Sequence, residues 1–180
     1  MNWKYYPTNT KPTDDIYDLI NIFESHSHLI DSEKYTYVSN DVLNIVSENL
    51  IKHGYKVETG KKSKEKIRIP VLYGVNGKET LSFEADTFSL EKKIVIEVEA
   101  WRIVTNYQFL KDFFQACMMN NVDYLCICVR NVYRENQKDF EIVSKFFDLL
   151  YSSQRMLIPL KGVLIIGYKK MRCWNAKKLR

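Results

Sequence analysis

Residues 94–99 read Ile-Val-Ile-Glu-Val-Glu, a run that admits few structures. Four of its six residues are β-branched, which favours a strand. Side chains alternate along a strand, so Ile94, Ile96 and Val98 share one face while Val95, Glu97 and Glu99 share the other. Two carboxylates then stand about 7 Å apart, at a rise of ~3.3 Å per residue, inside an apolar segment where charge is costly. A short turn at residues 89–92 closes an antiparallel pair with the preceding strand, near whose end Asp86 lies opposite or diagonal to Glu97. Like charges this close need a cation or a proton between them. Oxygen donors of this kind suit Mg²⁺ or Mn²⁺, ions that activate water and stabilise charge developing on phosphorus. The chemistry inferred is phosphodiester hydrolysis; a solvated strand face is the competing account of the same three acids.

The rest of the chain supplies surroundings for this run. Residues 1–13 mix aromatics with Pro7 and Pro12 and read as an extended N-terminal arm. Asp14 and Asp15 precede a short helix with Ile16, Leu19, Ile20 and Phe23 inward. Ser39 or Asn40 caps a second helix that ends at His53 and Gly54. Strands are expected at 67–73, with Pro70 marking an edge or bulge, at 81–88 after the turn Gly-Val-Asn-Gly, and at 94–99. Three successive strands on short turns imply an antiparallel meander. Thr105 and Gln108 resemble a capping box before a helix whose stripe is Phe109, Leu110, Phe113, Phe114, Cys117 and Met118. An apolar strand at 124–129, a helix opening at Asp139 and an apolar strand at 163–168 complete the order α-α-β-β-β-α-β-α-β. The fold class expected is α/β, a single domain over 1–180 with helices packed on a mixed sheet.

A chain of 180 residues with 46% apolar and 27% charged residues can bury one core and is not a disordered chain. The net charge of +5 permits a polyanionic partner without requiring one. Cys117, Cys126, Cys128 and Cys173 form no zinc-type spacing, and His26 and His28 lack further ligands at suitable spacing, so zinc chemistry is not expected. No apolar run approaches the ~20 residues of a membrane span. A cytoplasmic protein with no membrane partner is the expectation. No phosphate-binding glycine loop, dinucleotide fingerprint or nucleophile triad stands in the sequence.

The run FEAD…IVIEVEAWR, followed by a helix and an apolar strand, resembles the PD-(D/E)xK nuclease superfamily over roughly residues 39–129. Within it the chain is most similar to type II restriction endonucleases that cut around a GATC core. The resemblance implies a restriction endonuclease-like fold and a Mg²⁺- (or Mn²⁺-) dependent endonuclease acting on double-stranded DNA as a homodimer. Matched motif by motif, Asp86 is the bridging metal ligand, Glu97 the second carboxylate ligand, and the Val98 carbonyl faces the ion. Glu99 stands where most members carry lysine, either as general base or as a residue that positions water, and Glu48 falls where some members add an acid. Ala85 replaces the proline of the literal motif. Gln108, Lys111 and Arg102 are candidates for phosphate or water contact, and Trp101 for packing over the site or stacking on a base. Lys61, Lys62, Lys64 and Arg68, in a basic run that includes Lys66, are candidates for tracking a DNA backbone, with a solvated loop as the alternative. Two other classes fit the sequence: a non-catalytic nucleic-acid-binding or assembly module that retains the nuclease fold, and a protein-interaction domain.

Overall fold

A computed structural model describes residues 1–60, 65–100, 107–132 and 137–169. Twelve elements organise it: β1 Asn2–Tyr6, α1 Asp14–Ser25, α2 Ser39–Lys52, β2 Lys56–Val57, β3 Ile67–Tyr73, β4 Glu79–Ala85, β5 Thr87–Ser89, β6 Ile94–Glu99, α3 Gln108–Met118, β7 Tyr124–Arg130, α4 Asp139–Ser153 and β8 Gly162–Tyr168. Four helices pack on a six-stranded mixed sheet of order β1-β8-β7-β6-β5-β2, and β3 pairs with β4 in a separate hairpin. The α/β class holds. β6, β7 and β8 run parallel, and β1, β5 and β2 join antiparallel.

The sheet is covered on both faces, which makes three layers. Ile94, Ile96 and Val98 of β6 pack with Cys126, Cys128, Leu164 and Ile166 beneath α1 and α2. Val95 faces the other way, with Leu125, Ile127, Val129 and Ile165, beneath α3 and α4. This second layer is aromatic: Phe147 meets Tyr6, Phe109, Phe113 and Phe146 at centroid distances of 5.3–6.4 Å. Parallel strands buried on both faces are expected to be apolar throughout; β8 is, and β7 is up to its last residue, the buried Arg130, whose guanidinium donates to the Tyr37 carbonyl.

Several expectations change. Residues 2–6 are not a free arm: β1 pairs antiparallel along β8 and buries Tyr5 and Tyr6, because β8 would otherwise expose an unpaired apolar edge. The expected strand over 81–88 is broken at Asp86: the part before it pairs with β3, and the part after it pairs with β6 and β2. The meander is therefore two pieces, bent where the key acid sits. Pro70 does mark a bulge, since the β3–β4 register shifts beside it.

α2 is preceded by Val38, whose N–H donates to Asp41 Oδ2 at 3.1 Å. Ser39 instead accepts from the Ala100 N–H at 3.0 Å, tying the start of α2 to the end of β6. Gly54 takes φ +83° just past the helix, as its position there suggests. α3 begins at Gln108 after Tyr107, which is left-handed at φ +49°. Gln108 is thus the first helical residue rather than the third, and Thr105 lies outside the described residues. Cys173 also lies outside them; Cys117 is half-buried and free, and Cys126 and Cys128 are buried and free. His26 Nδ1 stands 2.8 Å from the Ile22 carbonyl at the end of α1, a helix-terminal contact. Among the described residues no helix is long and apolar enough to cross a membrane.

Candidate active site

The strand registers carry the acids to one place. β5 pairs with β6 as Thr87 with Ile96 and Phe88 with Val95, so the next step of the same register sets Asp86 across from Glu97. β2 pairs with β5 as Val57 with Thr87, and the Glu58 N–H donates to the Asp86 carbonyl at 2.8 Å. Glu58, Asp86 and Glu97 thereby form a row across three strands, at the break that separates the hairpin from the main sheet. The Val98 N–H donates to Asp86 Oδ2 at 2.9 Å and fixes the orientation of that carboxylate.

These residues line a cavity of about 210 Å³, together with Glu99, Lys66, Glu84, Ser39 and, from α3, Gln108, Lys111, Asp112 and Gln115. The acid face of β6 is therefore roofed by α3, and Glu97 and Glu99 are half-buried rather than displayed on a solvated strand. Lys66 donates to both oxygens of Glu58 at 2.8 Å and lies 3.8 Å from Glu84. Glu58 is only 9% exposed, so the ammonium is the group that makes its charge tolerable there.

Burial dominates the electrostatics. It pushes the Asp86 carboxyl up to about 6, against the lowering effect of the Val98 N–H and with a further push from Glu58. Burial, then Asp86 and Asp112, holds the Glu97 carboxyl well above the usual carboxylate range. Burial and the neighbouring Asp112 push Glu99 up to about 9, and burial pushes Asp112 up to about 6 with Lys111 opposing. Four acids that resist ionisation around one cavity form a site short of positive charge.

The donors suit a hard divalent ion: two carboxylates, Asp86 and Glu97, and a backbone carbonyl at Val98, all oxygen. Among the described residues no three His, Cys, Asp or Glu side chains stand as a ready-made cage. Mg²⁺ does not require one, since it binds through one or two carboxylates and keeps water or phosphate on its remaining positions. The residues present fit such an ion.

Of the residues expected from sequence, Asp86, Glu97, Val98, Glu99, Gln108 and Lys111 meet in the cavity. Glu48 does not. It is exposed and pairs with Lys52 one turn on at 2.6 Å, nine residues and about 14 Å along α2 from Ser39. Arg68 lies outside the lining but 3.8 Å from Glu84, at its rim. Lys61, Lys62, Lys64, Trp101 and Arg102 lie outside the described residues.

Glu58, Asp112 and the role of Lys66 escaped the sequence reading. Asp112 had a signal. It shares the helical spacing of Phe109, Phe113 and Ala116, all buried, so it is an acid inside an apolar stripe. Glu58 follows a two-residue strand and gave none. Comparison with known proteins adds nothing to this geometry: no family model, no curated protein and no solved structure matches the chain.

Proposed function

We propose that this chain is a divalent-metal-dependent DNA endonuclease with a restriction endonuclease-like core. The observation that carries the reading is the juxtaposition of Asp86 and Glu97 across neighbouring strands, in a cavity that also holds two lysines. Asp86 and Glu97, with the Val98 carbonyl, would hold Mg²⁺ or Mn²⁺. The bound ion supplies Lewis-acid stabilisation of the phosphodiester and lowers the pKa of its water. Glu99, two residues further along the same strand face, would position the attacking water, in place of the lysine that the resemblance would lead one to expect there. Lys111, exposed at the start of α3, offers its charge to the non-bridging phosphate oxygens, and Gln108 orients them by hydrogen bonding. Lys66, held by Glu58, keeps its ammonium fixed at the cavity wall. Double-stranded DNA is the substrate proposed and a homodimer the acting form, which matches the two-fold symmetry of a palindromic site.

The test is incubation of supercoiled plasmid and linear duplex with the protein in Mg²⁺, in Mn²⁺ and in EDTA. Cleavage that needs the metal and vanishes in both Asp86→Ala and Glu97→Ala supports the assignment. Activity surviving both substitutions contradicts it. Salt-sensitive DNA binding with no cleavage in either metal would favour a non-catalytic nucleic-acid-binding module on the same fold.

A further inference from the structure

The last peptide of β6 is gripped from two sides by side chains of other elements. Its carbonyl, that of Glu99, accepts from the Tyr168 hydroxyl of β8 at 3.3 Å. Its N–H, that of Ala100, donates to Ser39 Oγ at the first residue of α2, at 3.0 Å. The β5–β6 register ends at Thr87 and Ile96, and Ser39 takes the place of a strand neighbour beyond it. Both gripping groups are themselves fixed. Tyr168 is 1% exposed, and a tyrosine hydroxyl buried so deeply needs a partner such as this carbonyl. Its backbone carbonyl accepts from Ser32 Oγ at 2.8 Å. Arg130, the register partner of Tyr168 on β7, donates to the Tyr37 carbonyl two residues before Ser39. The segment leading into α2 is thus tied to the ends of β7 and β8, and through Ser39 to the end of β6. Neither Tyr168 nor Ser39 has a task in the reaction proposed above, although Ser39 lines the cavity.

We infer that Tyr168 and Ser39 are positioning residues: by clamping the Glu99–Ala100 peptide, they set the direction in which Glu99 presents its carboxyl group to the cavity. The inference rests on the proposed endonuclease and assigns two further residues to it. The peptide before Glu99 lies in the β6–β7 ladder, and the peptide after it is the clamped one. Both backbone dihedrals of Glu99 are therefore fixed, and its Cβ points one way. Strand ends without such partners open locally, and a displacement of about 1 Å at a reacting group costs on the order of 100-fold in rate. The clamp acts on the water-positioning group while leaving the proposed ligands Asp86 and Glu97 untouched.

The experiment is steady-state cleavage of supercoiled plasmid by the full chain and its variants in saturating Mg²⁺, repeated in Mn²⁺. Tyr168→Phe and Ser39→Ala each remove one hydroxyl of the clamp and should lower kcat about tenfold with KM for DNA unchanged. Ser39→Thr keeps the accepting oxygen and should cut at the wild-type kcat. Tyr55→Phe is the control: it removes another buried hydroxyl from the same core layer, one that meets no hydrogen-bond partner among the described residues, and its kcat should equal that of the wild type. Circular dichroism of each variant reports folding, and the two clamp substitutions lie on different elements, so one that misfolds leaves the other to decide. Wild-type kcat in Tyr168→Phe and Ser39→Ala overturns the clamp while leaving the proposed function standing. A fall in kcat shared equally by Tyr55→Phe also overturns it, as a general softening of the core. A wild-type chain that cuts in neither metal overturns the proposed function and the clamp together.

Discussion

Replacing Asp86 by Asn should make the metal-free protein more stable at alkaline pH. The Asp86 carboxyl titrates near 6 in the folded chain against 3.8 when unperturbed. Between those values the folded state holds a proton that the unfolded state has released, so stability falls as pH rises through the window and is flat above it. At roughly 1.4 kcal/mol per pH unit, keeping Asp86 charged at pH 8 costs the fold about 3 kcal/mol. Asn removes that charge yet keeps an oxygen for the Val98 N–H, so the hydrogen bond survives. For a domain of this size the gain corresponds to a rise in Tm of roughly 6–12 °C. Thermal unfolding followed by circular dichroism in EDTA at pH 8 and pH 4 measures it. The advantage should be full at pH 8, shrink toward zero at pH 4, and reverse when Mg²⁺ is added, since the wild type alone is then stabilised by binding. An Asn variant that melts at or below the wild type at pH 8 would refute the reasoning, because Asp86 would then not be a strained charge.

Three further outcomes test other parts of the structure. Lys66→Met leaves Glu58 buried without its partner and should destabilise by roughly 3 kcal/mol, whereas the double change with Glu58→Leu should recover most of it; urea unfolding of the cycle measures the coupling. Phe147→Ala empties the centre of the aromatic layer and should cost about 3–5 kcal/mol, read by the same method, while activity per folded molecule is retained. Gly167→Ala sets a methyl group 2.3 Å from Asn131 Oδ1 and 2.8 Å from the Phe140 ring, so its Tm should fall, and an unchanged Tm would show that α4 yields easily at that contact.

The core was legible because its signals are local. The stripe Phe109, Phe113 and Ala116 has helical spacing, and β8, with β7 up to Arg130, forms the continuous apolar run that a covered central strand tolerates. The β6 acids were legible for the opposite reason, as charges standing where the pattern demands none. What the sequence hid depends on pairing at a distance. β1 looked like an arm because its partner, β8, lies some 160 residues away in register. The break at Asp86 looked like an ordinary strand residue, since the choice of β3 before it and β6 after it is made by two sheets. Glu48 was misplaced for a similar reason: helical position alone does not tell which end of α2 points at the cavity, and Ser39 does. Glu58 entered only through its register with Asp86.

The most direct measurement on the central claim is anomalous diffraction from crystals soaked in Mn²⁺. A peak contacting the carboxylates of Asp86 and Glu97 and the Val98 carbonyl is the expected result, absent in Asp86→Ala crystals. A fully soaked crystal with no peak between Asp86 and Glu97 would contradict the account.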